Sequence, residues 1–236
     1  MNIAQHSSPN FDARPGDGRV EMLILHYTGM RSAQEALDRL CDPAAKVSAH
    51  YLIAEDGAVT QLVAEEKRAW HAGLSSWRGR GDINGASIGI ELVNPGHEFG
   101  YRRFPAPQMA ALEALARGIL DRHPIPPHHV LGHSDVAPLR KQDPGEFFDW
   151  PRLAGAGIGF WPDFAAGPAT VPGLREIQLS LAAIGYACPE TGAQDAATTA
   201  AIIAFQRHFR PERCDGVIDP ETGRRIALLA AALASA

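Results

Sequence analysis

His26, His133 and Asp143 are the residues whose types and setting point most directly to chemistry. His26 follows the apolar run Met22-Leu23-Ile24-Leu25, where an imidazole without a partner would be costly. His133 lies in Leu131-Gly132-His133-Ser134-Asp135, and Asp143 follows in Arg140-Lys141-Gln142-Asp143-Pro144-Gly145. Two imidazoles and one carboxylate make a three-ligand zinc site with a fourth position left for water. Zinc in such a site brings the pKa of its water to about 7 and polarises a carbonyl, which is the chemistry of a hydrolase. Ser134 and Asp135 are polar groups close enough in the chain to support the ligands. Spacing alone leaves an ordinary alternative open: most histidines are surface groups or satisfied core groups, and no pair here is locked onto one helix face as in a HExxH motif.

Glu91 interrupts the apolar run Ile88-Gly89-Ile90-Glu91-Leu92-Val93. It reads either as a strand-end carboxylate turned to solvent or as a carboxylate in an apolar site, poised as a general base. Lys141 stands two residues before Asp143. On an extended loop the two side chains point the same way, so its ammonium would face the substrate of a metal at Asp143; the ordinary alternative is a solvated surface charge.

These residues need a scaffold. Met22–Tyr27, Ala49–Ala54 and Ile88–Val93 read as buried strands, and Val59–Val63 as a hairpin partner after the turn Glu55-Asp56-Gly57. His128–His133 reads as a strand leading into a loop. Ser32 and Glu35 resemble a capping box opening a helix through Leu37 and Leu40. Met109, Leu112, Leu115 and Ile119 form a helical stripe. Alternating strands and helices predict an α/β unit, a mixed central sheet flanked by helices.

After Trp161 the composition changes. Residues 164–172 are rich in Ala, Gly and Pro, which is linker chemistry. Beyond them strand signals disappear. Leu174, Ile177, Leu181 and Ile184 line one helix ending at Gly185; Ala201, Phe205 and Phe209 line a second opened by Asp195; Asp219-Pro220 opens a third. The predicted organisation is a catalytic unit at 1–163, a linker at 164–172 and a three-helix unit at 173–236, the last small enough to need its neighbour for stability.

The bulk properties narrow the classes. The 236 residues are 45% hydrophobic and 21% charged, ordinary values for a globular chain, which exclude wholesale disorder. With 22 Lys+Arg against 27 Asp+Glu the net charge is −5, so nothing favours nucleic-acid binding. No apolar stretch reaches the ~18 residues of a membrane span. Three cysteines are too few and too odd in number for a disulfide scaffold. The first residues carry no basic n-region and no apolar h-region, from which a cytoplasmic protein is expected, or a periplasmic one if a leader has been removed. Of ten histidines, His208 alone lies beyond residue 134.

The sequence resembles the zinc-dependent N-acetylmuramoyl-L-alanine amidases of the type-2 superfamily, to which peptidoglycan recognition proteins also belong. The resemblance rests on Ser8–Pro15, Leu25-His26-Tyr27-Thr28-Gly29, Val47–Ile53, Arg68-Ala69-Trp70-His71-Ala72-Gly73, Asn84–Glu91, and Leu131–Asp135 through Arg140–Gly145. It implies one Zn²⁺ on His26, His133 and Asp143, with Glu91 as the catalytic carboxylate and Lys141 as its helper. It also implies that Trp70, His71 and Asn84 belong to loops lining a substrate cleft, although for Trp70 and for Trp77 local packing is an equal expectation. The C-terminal stretches Leu174–Leu179, Gly185-Tyr186, Phe205-Gln206, Asp215-Gly216 and Asp219–Thr222 resemble a three-helix peptidoglycan-binding domain. The implied partner is peptidoglycan or its muropeptides, (anhydro-)muropeptides included, handled by a monomer in cell-wall turnover. Two alternatives accompany this reading: a recognition protein that binds without cutting, and a zinc peptidase acting within the stem peptide. Tyr27-Thr28 after the first ligand looks more like the envelope-anchored branch than the recycling branch.

Overall fold

The computed structural model describes residues 2–165 and 172–235. In chain order the first unit contains β1 (Ile3–Gln5), β2 (Phe11–Ala13), β3 (Met22–Tyr27), α1 (Ala33–Cys41), β4 (Tyr51–Ile53), β5 (Val59–Gln61), β6 (Lys67–Ala69), α2 (Ile83–Ala86), β7 (Ser87–Leu92), α3 (Gly96–Phe99), α4 (Ala106–Arg122), β8 (Val130–Gly132), α5 (His133–Val136) and α6 (Trp150–Gly155). The second contains α7 (Leu174–Ile184), α8 (Ala196–Phe209) and α9 (Pro220–Ala234). The expected linker at 164–172 falls mostly outside the described residues. No helix among the described residues is long and apolar enough to cross a membrane.

Six strands form a mixed sheet in the order β1-β5-β4-β7-β3-β8, while β2 and β6 make a separate antiparallel pair. The centre, β4-β7-β3-β8, is parallel, and β5 returns antiparallel on β4 as the hairpin reading expects. Parallel strands need both faces covered, which explains the near-continuous apolar runs of β3 and β7.

Side-chain alternation divides the sheet's two faces. Leu23 and Leu25 of β3, with Ile88, Ile90 and Leu92 of β7, pack in one core against Met109, Leu112, Leu115 and Ile119 of α4. Met22 and Ile24 go to the other face, into a core shared with Ile177, Leu181 and Phe205 of the C-terminal helices. His26 continues that second parity at the end of β3, and Ser87, Gly89 and Glu91 hold it on β7. The face that carries the chemistry is therefore the one that the helical unit covers.

Local signals place the helices. Ser32 Oγ accepts from Glu35 N and caps α1, although the Glu35 carboxylate reaches back to Arg31 N instead of closing the box on Ser32. Asp195 and Asp219 cap α8 and α9 through Thr198 N and Thr222 N. Gly185 ends α7 at φ +145°, and a Cβ there would lie 2.4 Å from the Trp77 ring, so both conformation and contact demand glycine. Trp77 is thereby a packing residue, edge-on to Tyr186 at 5.0 Å.

One expectation is corrected. His128–His133 is not a single strand: Pro127–His129 form a 3-10 turn, the strand is Val130–Gly132, and His133 opens α5. Pro127 starts that turn, and His129 N is spent on the Pro126 carbonyl at 2.8 Å, so pairing with β3 starts only at Val130.

Glu65 ties the end of α4 to the sheet. Its buried carboxylate accepts from Tyr51 Oη at 2.7 Å and from Arg122 at 2.7 and 3.1 Å, and it lies 2.8 Å from His123 Nε2. Burial pushes this carboxyl up, but the hydrogen bonds from Arg122, Tyr51 and His123 outweigh it and bring the pKa down to about 2. A depressed folded pKa gives stability that is whole above the unfolded value of about 4.5 and is lost as the pH falls toward 2. The shift corresponds to on the order of 3 kcal/mol. Glu65→Gln should make the loss of stability between pH 5 and 2 shallower than in the wild type, measured by urea unfolding across that range; an unchanged acid limb would show that Glu65 contributes nothing to it.

Candidate metal centre and active site

The parallel strands β3, β7 and β8 end at one crevice, the usual position for a site in an open α/β sheet. His26 is the fifth residue of β3, and the register places it directly opposite Glu91 on β7. His133 is the first residue after β8, and Asp143 comes from the loop beyond α5, tied back by Ser134 N donating to the Asp143 carbonyl at 2.9 Å. All three are buried: His26 is 1% exposed, His133 2% and Asp143 6%.

Their ligating atoms converge. His26 Nδ1 and His133 Nδ1 are 2.9 Å apart, and Asp143 Oδ2 lies 3.1 Å from the first and 3.0 Å from the second. The partners behind the rings set which nitrogen faces inward. Ser87 Oγ donates to the Ile83 carbonyl at 2.6 Å, so it accepts from His71 Nε2 at 3.2 Å. His71 Nδ1 is then an acceptor, and His26 Nε2 donates to it at 3.0 Å. His26 Nδ1 is left as a lone pair aimed at the centre. His133 Nε2 donates to the Ala72 carbonyl at 3.0 Å, so its Nδ1 faces the same point. Imidazoles oriented through their outer N–H are the ordinary arrangement of metal ligands.

Burial, then the neighbouring His133, pushes His26 down to about 4. Burial would raise Asp143, but His133 and His26 hold it well below the usual carboxylate range. Lone pairs and a carboxylate so close together need a cation between them. Two imidazole nitrogens and one carboxylate oxygen fit zinc in number and type, and a single ion can touch all three.

Glu91 faces the same cleft. One of its carboxylate oxygens is enclosed and has no hydrogen-bond partner. Burial, then the charge of Asp143, pushes it up to about 8, with Lys141 acting the other way. Lys141, Trp70, Arg39 and Arg140 line the cleft around it, which encloses about 350 Å³. Lys141 and Asp143 do border one space, as their two-residue spacing suggests.

His71 borders the cleft and Asn84 the adjoining hollow, as expected, but the polar atoms of both are turned to the protein. His71 is buried, and both its nitrogens are committed to His26 and Ser87, so its polar atoms serve the ligand rather than a substrate. Gly89 makes room for it: a Cβ there would lie 2.4 Å from His71 Cγ. Asn84 Oδ1 accepts from the backbone of His71 and Ala72 at 3.1 and 2.7 Å, holding that loop. Trp70 keeps its place on the cleft wall.

The sequence reading did not single out Arg14 or Ser87. Arg14 donates to the carbonyls of Glu65, Gly85 and Ser87 at 2.8, 3.1 and 2.8 Å, fixing the entry to β7. Its buried setting pulls it down to about 10. His50, another buried imidazole, accepts from Gly89 N through Nδ1 and supports β7 from the residue before β4. A buried arginine has no local signature in the sequence; Arg14 stands out there only as part of the Ser8–Pro15 stretch.

Comparison with known proteins agrees with this geometry. Residues 16–146 match the N-acetylmuramoyl-L-alanine amidase family and residues 170–226 a peptidoglycan binding domain. The chain is 38% identical over 225 residues to the N-acetylmuramoyl-L-alanine amidase AmiD of Escherichia coli, covering 86% of this chain and 80% of that one. It is 37% identical over 163 residues to the E. coli 1,6-anhydro-N-acetylmuramyl-L-alanine amidase AmpD, covering 62% and 87%. Among solved structures, the complex of E. coli AmiD with anhydro-N-acetylmuramic acid-L-Ala-D-gamma-Glu-L-Lys superposes with a TM-score of 0.80 at 36% identity, over 95% of this chain and 92% of that one. AmpDh3 of Pseudomonas aeruginosa gives 0.79 at 38%, over 92% and 94%. The match over the sheet, the crevice and the ligand loops together shows that the chain belongs to the N-acetylmuramoyl-L-alanine amidase family.

Proposed function

We propose that the protein is a zinc hydrolase cleaving the amide between the lactyl group of N-acetylmuramic acid and the L-alanine of the stem peptide, with peptidoglycan-derived muropeptides as its substrates. The observation that carries this is the convergence of His26, His133 and Asp143 beside Glu91 and Lys141 in one cleft. Zinc, when bound there, supplies the Lewis acidity that polarises the scissile carbonyl and acidifies water.

The chain's own residues do the rest. Glu91, across one strand pair from His26, takes a proton from the attacking water and delivers it to the departing amine. Its high proton affinity suits a group that must both accept and return a proton near neutral pH. Lys141 offers a fixed positive charge to the oxyanion, where preorganised charge is worth most. The chain's net charge is −5, yet the cleft carries Arg39, Arg140 and Lys141. A substrate with stem-peptide carboxylates is thus met by local cations. Trp70 supplies an apolar wall. The relatives solved with anhydromuramic peptides support anhydro-muropeptides as one substrate form. A complete donor set with its catalytic carboxylate favours cutting over recognition alone.

Glu91→Gln should purify with its zinc and lose turnover by at least about 100-fold. Mass analysis of digested muropeptides reads the reaction: release of the whole peptide from the sugar is expected of the wild type, while peptide fragments or an uncut substrate would overturn the proposal. Asp143→Ala should purify with its zinc content largely lost by elemental analysis; one full equivalent per chain would remove Asp143 from the ligand set.

A further inference from the structure

We infer that Tyr186 and His208, both from the helical C-terminal unit, are positioning residues for the metal ligand His133. The inference rests on the zinc reading above.

His133 opens α5, a helix of four residues. So short a helix cannot hold its own orientation, and its direction has to come from tertiary contacts. The decisive one is Asp135, which is fully buried. Its Oδ2 accepts from Gly132 N at 2.8 Å, across the residue that precedes the ligand. The same oxygen lies 2.8 Å from His208 Nδ1, and Oδ1 accepts from Tyr186 Oη at 2.7 Å. Two of the three groups on this carboxylate thus come from the far unit, 51 and 73 residues along the chain.

Each of those groups is held in turn. The His208 ring is stacked between Trp150, at 3.7 Å and 16°, and Phe209, at 3.9 Å and 4°. Trp150 and Pro144 close over Gly132, where an added Cβ would meet Pro144 Cδ at 2.7 Å and Trp150 Cζ2 at 3.4 Å. Tyr186 is edge-on to Trp77, and Arg78 N donates to the Gly185 carbonyl at 2.9 Å, fixing the start of the tyrosine's turn. Through Ser134 N on the Asp143 carbonyl, α5 also bears on a second ligand. A buried carboxylate stripped of one donor must find another or move. Movement of Asp135 turns α5 and with it the His133 ring. The C-terminal unit is therefore part of the metal site's support as well as a peptidoglycan-binding module by family.

The test measures zinc affinity by competition with a chromophoric chelator and the visible absorption of the Co²⁺-loaded protein, on the full chain. Tyr186→Phe keeps the ring and removes one hydroxyl; His208→Leu removes the imidazole donor; His208→Asn can return an N–H near the Nδ1 position. Leu181→Ala opens a cavity in the same seam without touching Asp135. Tyr186→Phe and His208→Leu should each weaken zinc binding about tenfold or more and alter the Co²⁺ spectrum. His208→Asn should recover most of the affinity, and Leu181→Ala should lower the melting temperature at unchanged affinity. Wild-type affinity and spectrum in Tyr186→Phe and His208→Leu would overturn the inference alone. An equal loss in Leu181→Ala would also overturn it, since general loosening of the seam would then explain the effect. A wild-type chain that takes up no zinc would bring down the metal reading itself.

Discussion

The structure is organised around three electron-rich atoms held within 3.1 Å of one another. Two inward-facing imidazole nitrogens and a carboxylate oxygen repel in the absence of a cation, and burial removes the water that would screen them. Such a grouping persists only if each donor is pinned from behind. His26 is pinned through His71 and Ser87 to the Ile83 carbonyl, His133 through the Ala72 carbonyl, and Asp143 through the amide of Ser134. The Asn84 side chain and the Arg14 guanidinium then hold the two loops that supply those partners. What looks like a cluster of cleft residues is in large part an outer ring of hydrogen bonds that keeps three lone pairs aimed at one point.

Sheet geometry explains why so few residues suffice. In-register pairing of β3 and β7 places His26 beside Glu91 with no loop between them, so the candidate metal ligand and the carboxylate proposed as catalytic share one rigid support. The period of two then assigns Ser87, Gly89 and Glu91 to a single face, and each has a separate task there: an acceptor for His71, space for its ring, and a carboxyl in the cleft. A shift of one residue in the register would send all three into the apolar core under α4. The alternation of apolar and functional residues in this strand is thus as much a constraint on folding as on chemistry.

How much of this the sequence revealed depends on the distance over which each feature is determined. The caps at Ser32, Asp195 and Asp219 and the stripe on α4 are set within a few residues, and they are legible. His26 and Glu91 stood out because polar groups at the ends of apolar strands need a reason. His71 and Asn84 were legible as members of a conspicuous loop, but their direction was not, since it depends on Ser87 and on the missing side chain of Gly89. His128 and His129 look like the start of the strand because they adjoin its apolar run, but the two prolines before them start a 3-10 turn that takes both in. Asp135 was noticed as a polar neighbour of a ligand, yet its partners could not be. They lie 51 and 73 residues away, and neither the isolated position of His208 among the histidines nor the Gly185-Tyr186 stretch says which carboxylate they reach.

The second face of the sheet joins stability to chemistry along each strand. On β3 the sequence of tasks is Met22 and Ile24 in the core shared with α7 and α8, then His26 in the candidate metal centre. On the neighbouring strand Leu131 belongs to that core and His133 follows two residues later. The apolar and the ligating positions are consecutive members of one alternation, so the helices that bury the first lie directly beside the second. Parallel strands cannot leave either face open to water, and α4 covers only one. In this chain the remaining face is closed by the C-terminal unit, whose Tyr186 phenol and His208 imidazole reach the buried carboxylate of Asp135. The boundary between the first unit and the helical unit in the sequence therefore does not coincide with a boundary in the packing: the candidate metal centre lies where the two share their core.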